Sequence, residues 1–85
     1  MKRNKEINQI LIQETDKYSQ KSYAELSQLS KPYTYEIKNE KNRYLIEVQL
    51  LEKRDSYLHA LVSVDDGSFF RFMFPLSKSF IVYKE

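Results

Sequence analysis

The chain has no cysteine, no tryptophan, one glycine and two prolines in 85 residues. Without cysteine it cannot form a disulfide or a thiolate metal site, and a reducing cytoplasm is the expected compartment. No apolar run approaches the roughly 18–20 residues that span a bilayer. The basic N-terminus is not followed by a continuous apolar stretch. We therefore expect no signal peptide and no membrane association.

The scarcity of glycine and histidine excludes several enzyme classes. Walker, Rossmann, zincin and serine-hydrolase motifs each need more glycines or histidines than the chain contains. The sole histidine, His59, would need a nearby nucleophile or orienting carboxylate to act as a general base. The sequence offers only Asp55 and Ser63 for that role. We predict that His59 is structural, that the chain is not an enzyme, and that it uses no cofactor or metal.

The charge balance also argues against a dedicated nucleic-acid binder. Fourteen basic and 12 acidic residues leave a formal net charge of +2. Such a mixed surface lacks the strong basic excess of proteins that track a phosphate backbone. The one dense basic cluster, Lys2, Arg3 and Lys5, lies at the N-terminus.

Apolar residues in the first thirty positions recur with a helical period. The predicted stripe consists of Ile7, Ile10, Leu11, Glu14 and Tyr18. It indicates a helix over Lys5–Ser19. Ser22 with Glu25 three residues later matches a capping box, which predicts a second helix over Tyr23–Leu29. A single helix bent through Ser19–Ser22 fits the pattern nearly as well.

The period changes to two after residue 32, which is typical of strands. Together with the helical segment 5–30, the antiparallel meander 33–83 predicts a single α+β domain with four or five strands. The predicted strands are Tyr33–Lys38, Tyr44–Leu51, Tyr57–Val64, Phe69–Phe74 and a short edge strand Phe80–Tyr83.

The only glycine, Gly67, follows Asp65 and Asp66 between two strand-forming runs. An Asp-Gly pair in this position predicts a two-residue type I′ hairpin, because both central residues need φ > 0. In that register Val64 lies opposite Phe69. The two aspartates are explained by turn chemistry, since Asp bonds its own backbone in turns, and they carry no metal-binding prediction.

Even loop lengths at the turns predict which side chains share a face. The face expected to pack on the helix collects Tyr33, Tyr35, Ile37, Tyr44, Ile46, Val48, Leu50, His59, Leu61, Ser63, Phe70, Phe72 and Phe74. Val48 then lies opposite Leu61. An odd-length loop at either of the last two turns would exchange the faces locally.

The second face is polar in its first half and apolar in its second. The expected solvated half holds Thr34, Glu36, Lys38, Glu47 and Gln49. The apolar half holds Leu51 and the candidate interface, which consists of Leu58, Ala60, Val62, Val64, Phe69, Arg71 and Met73. Since a sheet with one solvated face should alternate cleanly, we expect this surface to bind a protein partner or a second copy of the chain. A weak single-stranded nucleic-acid site using Phe69, Tyr57 and Arg71 is the alternative.

Several landmarks together resemble a set of small uncharacterised bacterial proteins. The landmarks are an SYxEL start (Ser22–Leu26), an RYxxEV strand (Arg43–Val48), a VSVDDG turn (Val62–Gly67), and FPL followed by FI (Phe74–Leu76, Phe80–Ile81). The similarity extends over roughly residues 20–82. It implies a bacterial, cytosolic protein and the hairpin at Gly67, and no activity or site residue.

Overall fold

The computed structural model describes residues 2–68 and 75–85. The elements are α1 (Lys2–Ser19), α2 (Tyr23–Leu26), β1 (Tyr33–Asn39), β2 (Asn42–Lys53), β3 (Tyr57–Asp65) and β4 (Leu76–Tyr83). The strands form one antiparallel sheet in the order β1-β2-β3-β4. Helix α1 packs on one face of this sheet, against β3 and β4. The predicted α+β class is confirmed.

Helix α1 supplies one layer of the core through the predicted stripe. It begins at Lys2, three residues before the predicted start, and ends at Ser19 as predicted. Every member of the stripe is buried: Ile7, Ile10, Leu11, Glu14 and Tyr18. Burying each large apolar side chain contributes about 1.5–3 kcal/mol before entropy costs, so this stripe holds the helix on the sheet.

The capping box at the start of α2 is present in both directions. Ser22 Oγ accepts from the Glu25 N–H at 3.1 Å, and the Ser22 N–H donates to Glu25 Oε1 at 3.2 Å. Two separate helices are therefore observed, not one bent helix. Helix α2 ends at Leu26, three residues earlier than predicted. The chain continues as a tighter turn, because the Leu29 N–H bonds to the Leu26 carbonyl at 3.1 Å.

The first hairpin has the predicted register, with Ile37 opposite Tyr44. Asn39 lies opposite Asn42, so Glu40 and Lys41 are the two loop residues. Glu40 has a φ of 56°, a left-handed conformation that costs a residue with a Cβ about 1–2 kcal/mol.

A β-bulge in β2 changes the register of the second hairpin. Leu50 lies opposite Ala60, but Glu52 lies opposite His59, so Leu51 is an extra residue in β2. The expected even loop is present, since Arg54 N donates to the Tyr57 carbonyl at 2.8 Å. The bulge then shifts the rest of the pairing by one residue, which reverses side-chain facing.

The predicted pairing at Gly67 is wrong. Val64 lies opposite Leu76, and β4 pairs with β3 along its whole length. The predicted strand Phe69–Phe74 lies outside the described residues. The predicted edge strand Phe80–Tyr83 is the C-terminal half of β4 and neighbours β3 directly.

The local geometry explains why the chain does not reverse in two residues. Gly67 has a φ of +84°, but Asp66 does not share the positive φ that a type I′ turn needs at both positions. The Asp65 carboxylate accepts from the Gly67 N–H at 2.8 Å, and the Asp66 carboxylate accepts from the Ser68 N–H at 3.0 Å. These side-chain bonds to backbone two residues on are the turn chemistry expected of aspartate, and the chain continues beyond them to Leu76.

Candidate interaction surfaces

The four described members of the candidate interface lie in the core. Leu58, Ala60, Val62 and Val64 all have 0% exposure and lie on the face of the sheet that packs on α1. The expected facing of β3 is therefore wrong, because the bulge at Leu51 places Val48 opposite Val62 instead of Leu61. While the chain keeps this fold, these four residues cannot contact a partner. Phe69, Arg71 and Met73 lie outside the described residues.

The sequence contains a signal for the bulge in β2. Gln49 and Glu52 flank two adjacent leucines in β2, and that pair interrupts the alternation of apolar and polar residues. An interruption of this kind in an antiparallel pair is a sign of a bulge.

The face of the sheet opposite α1, here called the open face, has a polar end and an apolar end. On β1 and β2 its polar members are those predicted: Thr34, Glu36, Lys38, Glu47 and Gln49. On β3 it carries His59, Leu61 and Ser63, which were expected on the helix side. Ser63 and Ser77 extend the polar end, since both lie in register with Glu47.

The apolar end of the open face consists of Leu51, Tyr57, Leu61, Ile81 and Tyr83. Leu51 is 50% exposed, Ile81 48% and Tyr83 69%. Tyr57 lies opposite Tyr83, and their ring centroids are 6.4 Å apart in a tilted arrangement. A solvated sheet face should carry polar residues at these positions, so this end is a cluster of exposed apolar side chains.

A carboxylate next to the apolar end is held ionised by its neighbours. Glu52 accepts a hydrogen bond from the Tyr57 hydroxyl at 2.7 Å and from Arg54 Nε at 3.0 Å. These bonds lower the pKa of Glu52 below its usual value. The same bond to Glu52 raises the pKa of Tyr57. The apolar end is thus bordered by one fixed acidic group paired to one arginine.

His59 is directly opposite Glu52 on β2 and Ile81 on β4. It is partly exposed on the open face, so the expected position on the helix side is wrong. Ser63 lies on the same face, while Asp55 precedes β3 in the turn that follows β2. This placement makes His59 part of the border of the apolar end.

Two carboxylate–tyrosine contacts between α1 and the sheet were not predicted. The Tyr35 hydroxyl donates to Glu14 Oε1, and the Tyr44 hydroxyl donates to Glu6 Oε1. Lys17 Nζ also lies 2.8 Å from Glu14 Oε1. The one available signal was the presence of Glu14 in an otherwise apolar stripe. These contacts satisfy buried polar groups and align α1 with β1 and β2.

A groove of about 670 Å³ runs between the α1–α2 corner and the end of β4. Its lining includes cations and anions, among them Lys21, Glu25 and Lys84. Lys84 Nζ lies 5.6 Å from the centre of the Tyr23 ring, and the Lys84 N–H donates to the Ser56 carbonyl at 2.9 Å. The mixed charge of this groove favours no single class of ligand.

Within residues 2–68 and 75–85, no group of three or more His, Asp or Glu side chains is close enough to hold a metal ion. In the same part of the chain, no helix combines the length and apolar character required to cross a bilayer.

No protein-family model, curated protein sequence or solved structure matches the chain.

Proposed function

We propose that the chain is a small non-enzymatic protein-interaction module, working as an accessory subunit or in self-association, with the apolar end of the open face as its partner-binding surface. The observation that supports this proposal is the exposure of Leu51, Ile81 and Tyr83 at one end of a single sheet face. Large contiguous apolar patches are uncommon on monomeric proteins and are typical of interaction sites.

The composition of the apolar end resembles that of an interface centre. Two tyrosines bring large amphipathic rings, which are enriched among residues that dominate binding energy. Arg54 and Glu52 supply a paired charge at its border, and rim charges of this kind steer partners more than they add affinity. The polar end of the same face, with Glu47 and Ser63, provides an internal comparison surface.

Two positions on the open face give a matched test. Ile81 at the apolar end and Leu45 at the polar end are both 48% exposed. We expect tagged Ile81→Lys to lose a partner from a lysate of the native host that the wild-type chain and Leu45→Lys both retain. Far-UV circular dichroism must show all three chains folded. Equal capture by the two variants, or no specific capture by the wild-type chain, would contradict the proposal.

We also propose the cytoplasm as the compartment and a bacterial source. The absence of cysteine supports the first, and the landmarks shared with small bacterial proteins support the second. An epitope-tagged chain that fractionated with secreted or membrane material would contradict the cytoplasmic assignment.

Weak binding of single-stranded nucleic acid is a second candidate. The tilted Tyr57–Tyr83 pair favours it, because exposed aromatic rings can stack bases. The bonded Glu52 carboxylate beside Tyr57 weighs against it, since that charge repels phosphate. Fluorescence anisotropy with a labelled oligonucleotide would detect binding that falls steeply with salt. Absence of binding at low salt, together with no retention on heparin, would remove this candidate.

A further inference from the structure

Strand β1 lies at an edge of the described sheet and is protected from pairing by neither a bulge nor a proline. Within the described residues only β2 lies beside it. Its seven residues pair with β2 in unbroken register, without a bulge, and contain no proline. Unprotected edges present a row of backbone donors and acceptors that can pair with another strand.

We propose that β1 pairs antiparallel with β1 of a second copy of the chain, with Ile37 of each copy opposite Ile37 of the other. The four described strands of each copy then belong to one continuous sheet. This pairing goes beyond the proposed function, because it uses a different surface from the apolar end of the open face.

The charges on β1 favour this register over those with the axis one residue to either side. With Ile37 at the two-fold axis, Glu36 of each copy lies opposite Lys38 of the other, which gives two ion pairs. Moving the axis to Glu36 or to Lys38 places like charges directly opposite each other, which is destabilising. Within one copy Lys38 lies opposite Arg43, a like-charge pair. In the dimer, Lys38 therefore lies opposite Glu36 of the second copy, whereas in its own sheet it lies opposite a residue of the same charge.

The backbone is consistent with the same register. Along an antiparallel pair, every second residue bonds to the neighbouring strand and the others point away. Asn39 and Asn42 flank a two-residue loop, so Asn39, Ile37 and every second residue before them bond toward β2. Thr34, Glu36 and Lys38 then direct their N–H and C=O groups outward. Glu36 of one copy and Lys38 of the other face each other across the proposed axis, so their outward groups meet partners.

The side chains at this edge are accessible. Glu36 and Lys38 are exposed, and the Glu36 side chain keeps 55% of its accessible area. The contact between Glu36 and Arg43 is long, at 3.8 Å, and an exposed pair of this kind contributes little. Neither charge has to leave a strong partner to form the pairs between copies.

Charge-swap variants test the register directly. The wild-type chain should show a dimer mass in size exclusion with light scattering, and the dimer should weaken as salt rises. Glu36→Lys and Lys38→Glu should each raise the dissociation constant roughly 30-fold, because each turns two attractions into two repulsions. The double variant Glu36→Lys/Lys38→Glu should recover the wild-type constant. An equimolar mixture of the two single variants should form a heterodimer.

Glu47→Lys is the matched control, since it makes the same charge change in the central strand β2. It should leave the dissociation constant within about twofold of wild type. A wild-type chain that stays monomeric at millimolar concentration and low salt would overturn the proposal. So would a dimer whose dissociation constant is the same in both single variants and the control, or single variants that fail to associate when mixed.

These outcomes are separable from a failure of the proposed function. If the wild-type chain is monomeric but Ile81→Lys still abolishes partner capture, only the β1 pairing is contradicted. A dimer that behaves as expected in the charge swap, but captures no partner through the open face, would contradict only the apolar end.

Discussion

The Tyr35 hydroxyl donates a hydrogen bond to Glu14 Oε1, which ties edge strand β1 to helix α1 across the core side of the sheet. Glu14 is 8% exposed, so its carboxylate depends on this hydroxyl and on Lys17 for stabilisation. Hydrogen bonds to charged groups contribute more than neutral ones. This contact therefore connects the edge proposed for self-association to the rest of the core.

Removing the hydroxyl should destabilise the fold. We expect Tyr35→Phe to lower the free energy of unfolding by about 1.5–3 kcal/mol, because it leaves the nearly buried Glu14 carboxylate with one bond fewer. Tyr33→Phe is the control, since this neighbouring ring is 51% exposed, and it should change stability by less than about 0.5 kcal/mol. Urea denaturation measures both. Equal effects of the two substitutions would show that the Glu14–Tyr35 contact is not stabilising.

The same contact predicts a loss of stability at alkaline pH. Burial, and then the bond to Glu14, raise the pKa of Tyr35 above its ordinary value near 10. Below pH 10 the hydroxyl is protonated in both states, so its contribution is fully present. As the pH rises further, the unfolded chain releases a proton that the folded chain keeps, and unfolding becomes more favourable. The slope from this group is at most about 1.4 kcal/mol per pH unit, reduced by solvent screening because the ring is only partly buried.

Urea denaturation between pH 8 and 11 measures this slope. Tyr35→Phe should show a shallower alkaline decline than the wild-type chain, and Glu14→Gln should fall between them because it removes one cause of the shift. The wild-type chain and both variants keep a further contribution from Tyr57, whose pKa is also raised. A decline of the same steepness in the wild-type chain and Tyr35→Phe would contradict this assignment.

The first hairpin contains a strained residue that can be relieved. Glu40 has a φ of 56°, which glycine adopts without a Cβ penalty. We expect Glu40→Gly to raise the free energy of unfolding by about 0.5–1 kcal/mol, since the relieved strain exceeds the extra entropy of a glycine in the unfolded chain. Lys41→Gly, one residue later in the same loop, should give no gain. A loss of stability in Glu40→Gly would show that the loop adopts another conformation.

Gly67 offers the reverse test. Its φ is +84°, and a Cβ added there would meet no atom within 4 Å. Gly67→Ala should therefore cost about 1–2 kcal/mol through backbone strain alone. Gly67→Asn should cost less, because asparagine tolerates the left-handed region. Thermal unfolding of the two variants distinguishes strain from a steric clash, which would penalise the larger asparagine more.

Local patterns predicted the helical layer and the first hairpin. The stripe of α1 and the capping box at Ser22 depend on spacings within a few residues, and both are present. The facing of Ile37 and Tyr44 follows from one even loop. These features were predictable because each is determined by residues close together in the chain.

The facing of β3 was not predictable from loop length alone. The loop after β2 has the even length expected, but the extra residue Leu51 changes the pairing of every residue beyond it. A bulge depends on the packing of both strands and is signalled only by the adjacent pair Leu50 and Leu51. Because of this one-residue shift in register, Val62 lies in the core and not in the expected interface.

The extent of β4 was missed for a different reason. Ser77, Lys78 and Ser79 make the start of this strand polar, and strand propensity is strongly dependent on context. An edge strand needs only one apolar face. Leu76, Phe80 and Val82 supply that face by packing against the core.

The facing of β3 is the basis for the proposed apolar end of the open face, and thiol accessibility measures it most directly. Because the chain has no cysteine, Val62→Cys and Ser63→Cys each introduce a single thiol on opposite faces. Val62 is 0% exposed, whereas Ser63 is partly exposed on the open face. With Ellman's reagent, Ser63→Cys should react at least about 100-fold faster than Val62→Cys, whose thiol is reached only through opening of the fold. Equal rates, or a faster reaction in Val62→Cys, would contradict the account.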